Sequence, residues 1–159
     1  MNLQIVTGDL LGQPVEVIVN AWNQNIVPWW LLRPHGVSGA IKRHAGTAPF
    51  QELRSYGRLA RGQAVLTSAG KLPCKGIIHV ASITWSGRSN SEIVQQSVHN
   101  ALELAQSNGF ISIAFPILGS GSGGMNEQTA LDSMLTALQT VSFDGTVYVV
   151  QYRPTLATS

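Results

Sequence analysis

The sequence predicts a layered α/β fold with a largely parallel central sheet. Two observations support this prediction. Short apolar runs rich in β-branched residues recur along the chain, and several are continuous, which is typical of strands buried on both faces of a sheet. Segments with helical periodicity lie between these runs, and such alternation is typical of α/β layers. Because 159 residues is a usual size for one domain, we expect residues 1–159 to form a single domain.

Six runs have the composition of strands. They cover residues 4–7, 15–20, 64–67, 76–82, 111–116 and 146–152. Four segments between or after them have helical patterns, covering residues 38–45, 49–56, 91–107 and a stretch that follows Asn126. We expect Ser38 to cap the first of these helices, and Ser89 with Glu92 to form a capping box on the third. Parallel α/β sheets bind ligands at the carboxyl ends of their strands, so we look for function there.

The composition narrows the classes of function. Hydrophobic residues make up 44% of the chain and charged residues 11%, which indicates a globular protein. The net charge is only +2 and no run of Lys or Arg occurs, so a nucleic-acid-binding face is not predicted. Cys74 is the single cysteine, and the four histidines lack metal-ligand spacing, so we expect neither a metal nor a cofactor. His79 lies inside the apolar run GIIHVAS, so we expect it to be a buried core histidine. Without a leader-like start or a membrane-length apolar run, we expect a cytoplasmic protein.

The segment FPILGSGSGGMN, residues 115–126, has the most informative pattern. Six consecutive small residues join a predicted strand to a predicted helix: Gly119, Ser120, Gly121, Ser122, Gly123 and Gly124. Backbone N–H groups at a helix start favour an anion, and glycine allows a ligand to approach closely. A plain flexible turn is the alternative, but it needs only one or two glycines. We therefore predict a phosphate-binding loop. Met125 and Asn126 stand where a Walker A motif needs Lys and Ser or Thr, which argues against magnesium-dependent phosphoryl transfer.

Three other segments place polar groups at predicted strand or helix ends. Asp9 follows the first strand, where its carboxylate could accept a hydrogen bond from an adenine amino group or simply form a local turn. Asn20 and Asn23 end the second strand with amides that donate and accept. The segment HGVSGAIKRHAG, residues 35–46, is a second glycine-flanked helix start that could hold a phosphate. Together these groups suggest a ligand built on a nucleoside diphosphate.

Four segments in this order resemble a macrodomain, the ADP-ribose-binding family that includes Appr-1″-p-processing and O-acetyl-ADP-ribose deacetylase-like members. They are GDLLGQPVEVIVNAWN, GVSGAIKRHAG, LTSAGKLPCKGIIHVAS and FPILGSGSGG, and the resemblance covers roughly the whole chain to Ala137. The resemblance implies a three-layer α/β/α fold with a mixed, largely parallel sheet. It also implies that ADP-ribose lies across the edge of that sheet.

The resemblance also implies roles for individual residues. Asp9 would bind the adenine amino group beside the Leu10 backbone, and Tyr152 would stack on adenine unless it is an ordinary strand-end aromatic. Asn20 and Asn23 match the family's paired asparagines, with Asn23 at the distal ribose. The first diphosphate loop corresponds to Gly36, Val37, Ser38 and Gly39, and the second corresponds to residues 119–124.

Three departures from the family pattern concern catalysis. Ser38 stands where hydrolases of the family often carry an aspartate, and a hydroxyl is not a carboxylate base near neutral pH. Gly123 corresponds to the aromatic residue that usually covers the distal ribose, and Trp29 with Trp30 could replace that ring or form a contact elsewhere. His35 precedes the first loop and has an unperturbed pKa suited to acid–base chemistry, so we name it with Asn23 as a candidate catalytic residue.

These observations predict a protein that binds ADP-ribose and hydrolyses ADP-ribosyl or O-acetyl-ADP-ribose esters. Its expected partner is ADP-ribose or an ADP-ribosylated substrate. We expect no membrane partner, and we expect nucleic acid to bind only as an ADP-ribosylated substrate. Because of Ser38, a non-catalytic ADP-ribose reader is the first alternative. A nucleic-acid or nucleotide-end binder is the second alternative, which the absence of a basic patch disfavours.

Overall fold

The structure, a computed structural model, describes residues 1–26, 36–84 and 87–153. Its strands are β1 (Asn2–Gly8), β2 (Val17–Trp22), β3 (Ala64–Thr67), β4 (Gly76–Ala81), β5 (Ser112–Pro116) and β6 (Thr146–Tyr152). Its helices are α1 (Gly36–Ala45), α2 (Ala48–Ser55), α3 (Ser91–Ser107) and α4 (Glu127–Leu138), with short 3-10 turns at Leu10–Gly12 and Gly121–Gly123. Each of these strands and helices overlaps a segment predicted from the sequence. In this part of the chain, no helix combines the length and apolar character of a membrane span.

The six strands form one sheet in the order β1-β6-β5-β2-β4-β3. Every neighbouring pair is parallel except β3 and β4, which are antiparallel. Hence the sheet is mixed and largely parallel, as predicted. The carboxyl ends of β1, β6, β5, β2 and β4 all lie along one side of the sheet, which we call the carboxyl edge.

Alternate residues of β2 enter two separate hydrophobic cores. Val17 and Val19 pack with α3 and α4 on one face of the sheet, whereas Ile18 packs with α1 and α2 on the other. This alternation is the two-residue period of a strand, and both of its faces are covered. The helices therefore form two outer layers around the sheet, which confirms the three-layer α/β/α fold.

Two predicted helix caps are wrong. Helix α1 begins at Gly36, so Ser38 is its third residue and not its N-cap. Helix α3 is capped by Asn90, whose side chain accepts a hydrogen bond from the Ile93 N–H at 2.9 Å, in place of the predicted Ser89. Asparagine and serine are comparable caps, so the sequence alone does not separate these neighbours.

Candidate functional site

The carboxyl edge brings the predicted site residues together in a fixed order. Asp9 and Tyr152 lie at the ends of β1 and β6, the glycine loop follows β5, and Asn23 follows β2. The first turn of α1, with Gly36, Val37, Ser38 and Gly39, lies beside the end of β2. His35, Trp29 and Trp30 lie outside the described residues, and their roles stay predictions.

The end of β1 forms the first part of the site. Asp9 is exposed, and its Oδ1 accepts a hydrogen bond from the Leu11 N–H at 3.0 Å as the cap of the 3-10 turn. This oxygen therefore forms a local turn, which was one of the two predictions for the Asp9 carboxylate. Leu10 is 0% exposed, so its backbone is buried as well as its side chain, which does not fit the predicted contact of that backbone with a ligand. Gly8 pairs with Tyr152 in the register of β1 and β6, so Asp9 and the half-buried Tyr152 lie at one corner of the edge.

Asn20 lies inside the protein and not on its surface. Its side chain is 0% exposed, and its Oδ1 accepts a hydrogen bond from the Ser38 hydroxyl at 2.8 Å. Its amide nitrogen lies 3.0 Å from Nδ1 of His79. The Ser38 hydroxyl also lies 3.2 Å from the carbonyl oxygen of Ala21 on β2. Through these bonds Asn20 fixes the first turn of α1 over the end of the sheet, a role that the sequence did not indicate.

His79 continues this chain of hydrogen bonds and is a fully buried core histidine, as its apolar sequence context indicated. The Asn20 amide donates to Nδ1, so Nε2 carries the proton and donates to the Thr67 hydroxyl at 2.9 Å. Burial lowers the pKa of His79 from 6.5 to about 3. The ring is therefore neutral at neutral pH and packs edge-on against Phe50, with the ring centroids 5.8 Å apart.

Asn23 is held by a neighbour that the sequence analysis missed. Its Oδ1 accepts a hydrogen bond from the Asn25 N–H at 2.8 Å. Asn25 has a left-handed backbone, with φ of 63°, and its own amide donates to the carbonyl oxygens of Leu53 and Gly57. Asparagine is one of the few residues besides glycine that adopts this conformation readily, which is a signal that the sequence did contain.

The glycine loop owes part of its composition to its own folding. Gly119 has φ of 90°, and a Cβ placed on it would lie 2.5 Å from Sδ of Met125 and 2.7 Å from Cγ2 of Val94. Glycine is therefore required at position 119 whether or not a ligand binds, so ligand binding is not the sole reason for the small residues of this loop. The Ser120 hydroxyl donates to the Ile117 carbonyl oxygen at 2.9 Å, within the protein.

The middle of the loop is open to a ligand. Gly121 has φ of 61°, and a Cβ placed on it would meet no atom within 4 Å. The N–H groups of Gly123, Gly124 and Met125 donate to carbonyl oxygens of Ser120, Gly121 and Gly119 within the loop. An anion would therefore be bound by amides nearer the start of the loop and by the start of α1, where the first N–H groups of a helix lack helical acceptors.

The Macro domain family model matches residues 19–134 of this chain. The chain belongs to the macrodomain family. A curated O-acetyl-ADP-ribose deacetylase from Enterobacter sp. (strain 638) is 36% identical to this macrodomain over 147 residues, which cover 89% of this chain and 77% of the relative.

Solved structures agree with this membership. A mutant of the Oceanobacillus iheyensis macrodomain with ADPR is 31% identical, with a TM-score of 0.81, over 93% of this chain and 83% of that chain. The same macrodomain with ADP has the same identity and TM-score, over 95% of this chain and 83% of that chain. This macrodomain thus has the fold of proteins that were solved with those nucleotides.

Proposed function

We propose that this macrodomain binds ADP-ribose and hydrolyses an ester bond of ADP-ribosyl or O-acetyl-ADP-ribose substrates. The observation that carries the proposal is the order of groups along the carboxyl edge. An exposed carboxylate and an aromatic ring at β1 and β6 are followed by a glycine loop at β5 and by an asparagine and a helix start at β2. ADP-ribose has the same order of parts: adenine, diphosphate and distal ribose.

The adenine end of the ligand would lie at the corner formed by Asp9 and Tyr152. One carboxylate oxygen of Asp9 caps the 3-10 turn, which orients the carboxylate and leaves the other oxygen to accept from the adenine amino group. Tyr152 would stack on the base, with a contribution of about 1–3 kcal/mol if it resembles base stacking in other proteins.

The diphosphate would bind between the start of α1 and the loop after β5. Both present backbone amides, and the start of a helix carries a partial positive charge. The bond from Ser38 to Asn20 holds the start of α1 at the end of β2. The open space beside Gly121 leaves room for phosphate oxygens close to the loop backbone.

The distal ribose would reach Asn23, whose Oδ1 is held by Asn25 so that its NH₂ group is the part available for the ligand. Hydrolysis of an acetyl ester requires water to add to the carbonyl carbon. The bond from that carbon to the ribose oxygen then breaks, the ribose oxygen takes a proton, and acetate leaves. Ser38 donates its hydroxyl proton within the protein and is not a base. We therefore propose that the ligand's diphosphate orients the water, with His35 as the alternative base.

The relatives support this activity, since the curated relative named above is called an O-acetyl-ADP-ribose deacetylase. A non-catalytic reader remains the alternative function, because Ser38 cannot supply the carboxylate that hydrolases of the family often carry. An ADP-ribosylated protein or nucleic acid as the natural substrate, and a cytoplasmic location, belong to this proposal as well.

Calorimetry and a product assay test the proposal together. Wild-type protein should bind ADP-ribose, should bind ribose phosphate without adenine only weakly, and should release acetate from O-acetyl-ADP-ribose. Asn23→Ala should reduce both binding and turnover. Binding without turnover of acetyl or ADP-ribosyl substrates would establish the reader, whereas a complete lack of ADP-ribose binding would overturn the whole proposal.

Asp9→Asn is the sharper variant for the adenine contact. The asparagine can still accept from the Leu11 N–H, so the turn should persist. Its other atom becomes an NH₂ donor, which cannot accept from the adenine amino group. We expect ADP-ribose affinity to fall by about 1.5–3 kcal/mol, the range for hydrogen bonds to charged groups, while the melting temperature is unchanged. An unchanged affinity would remove Asp9 from the site.

A further inference from the structure

Arg88 lies beside the glycine loop, although the two are far apart in the sequence. The segment that joins β4 to α3 is fixed to the loop by the Ser89 N–H, which donates to the Gly123 carbonyl oxygen at 2.9 Å. The carbonyl oxygen of Arg88 itself accepts a hydrogen bond from the Thr84 N–H at 2.8 Å. The backbone of Arg88 is therefore held in place next to the loop by bonds on both sides.

The Arg88 guanidinium group has no anionic partner within the described residues. It makes no hydrogen bond or ion pair with any of them, and the residue is exposed. Its Nη1 lies 3.9 Å from the position that a Cβ on Gly124 would occupy. Glu127, the acidic residue that follows the loop, is paired with Arg153 at 3.2 Å. A cation with five donors thus lies against the loop that would bind the diphosphate.

Ser89 gives this wall of the loop its shape. A Cβ placed on Gly123 would lie only 3.1 Å from Cβ of Ser89. Ser89 therefore leaves little room for a side chain at position 123. The Ser89 hydroxyl is itself buried without a hydrogen-bond partner. Ser89 and the Arg88 guanidinium group therefore lie beside Gly123 and Gly124, where the resemblance implies an aromatic ring in other members of the family.

We propose that Arg88 binds a phosphate oxygen of the ligand and makes recognition by this macrodomain depend on ligand charge. This inference rests on the proposed ADP-ribose binding. A guanidinium group matches the geometry of phosphate oxygens and forms strong charge-assisted hydrogen bonds with them. Amides of the loop and of α1 supply partial charges only, so Arg88 adds the one full positive charge that the described structure holds against this loop.

Arg88→Gln, measured by calorimetry with ADP-ribose and with adenosine, tests this proposal. The substitution should weaken ADP-ribose binding about five- to tenfold at low salt, an estimate that allows for the solvent exposure of the group. The salt dependence of binding should become less steep, while adenosine, which lacks phosphate, should bind both proteins equally. Arg88→Lys should keep most of the salt dependence because it keeps the charge.

Arg43→Gln is the matched control. Arg43 is exposed in the last turn of α1, at the opposite end from the site, and its removal changes the net charge equally. If Arg88→Gln binds ADP-ribose with wild-type affinity at both low and high salt, the inference about Arg88 is wrong while the proposed function stands. An equal loss in both glutamine variants also overturns it, because net charge would then be the cause. If the wild type binds no ADP-ribose, both the inference and the proposed function fail.

Discussion

Ser38 is the hydrogen-bond partner of a buried group that has no access to solvent. The Oδ1 atom of Asn20 accepts from the Ser38 hydroxyl at 2.8 Å, and Asn20 is 0% exposed. Ser38→Ala should therefore lower the free energy of unfolding by about 1–3 kcal/mol, the usual cost of an unsatisfied buried polar group. Urea unfolding monitored by circular dichroism measures this difference.

Ser55→Ala serves as the comparison for Ser38→Ala. The Ser55 hydroxyl donates to the Glu52 carbonyl oxygen at an exposed helix end, where water can replace the bond. We expect a change within about 0.5 kcal/mol, as for most surface substitutions. Equal stability losses in the two variants would contradict the structural role assigned to Ser38.

Single residues were predictable from sequence where their neighbours in the chain determine their environment. His79 was predicted to be buried because apolar residues surround it in the sequence, and this is confirmed. Its bond to Asn20 was not predictable, because it requires β2 to pair with β4 in a register that joins residues 59 apart. The capping role of Asp9 appeared among the alternatives, since aspartate commonly forms such local turns.

At the scale of elements, the glycine loop offers a test that separates charge from shape. Gly121 has a left-handed φ and open space beside it. Aspartate and asparagine both tolerate this backbone and have nearly the same volume. Gly121→Asp should abolish detectable ADP-ribose binding through repulsion of the diphosphate, whereas Gly121→Asn should retain much of it.

Calorimetry on both Gly121 variants measures the difference, and their melting temperatures should agree within error because the two side chains have nearly the same size and their Cβ meets no atom within 4 Å. Equal binding by the two variants would mean that the diphosphate does not approach this part of the loop. Gly119 is unsuitable for the same experiment, because any side chain there collides with Met125 and would disturb the fold itself.

The positions of the elements were predictable because apolar runs and helical stripes are local patterns. The strand over residues 64–67 was predicted with its observed bounds. Its antiparallel direction was not, since a short strand has the same sequence pattern in either direction. The position of Arg88 was also unpredictable, because the segment before α3 meets the glycine loop only in the folded chain.

At the scale of the whole molecule, His79 makes stability depend on pH. Its pKa is about 3 in the folded protein and 6.5 ordinarily, so the unfolded chain takes up the proton first as pH falls. The contribution of the neutral, buried His79 to the free energy of unfolding is fully present above pH 6.5, and it is lost progressively as the pH falls towards about 3. The free energy of unfolding should therefore decrease below pH 6.5, by at most about 1.4 kcal/mol per pH unit from this group.

Urea unfolding between about pH 7 and 5 isolates this effect. Glu16, whose pKa is lowered by the hydrogen bond from the Ile111 N–H and by Lys75, contributes mainly below its ordinary value of 4.5. His79→Gln should be less stable but should lose much of the pH dependence in this window. His99→Gln, at a site paired with Thr140 on the surface, should retain it. A pH dependence that survives in His79→Gln would assign it to another group.

The pairing of β1 with β6 has a consequence for the order in which the molecule is built. These two strands are far apart in the sequence, and the Thr7 hydroxyl donates a hydrogen bond to Oε1 of Gln151, which is 144 residues away. During translation β1 leaves the ribosome early and must wait without its sheet partner until β6 has been made. The corner that holds Asp9 and Tyr152 is then assembled after both segments that we propose to bind the diphosphate exist. If that proposal is correct, a nascent chain presents its phosphate-binding backbone before it can distinguish one base from another.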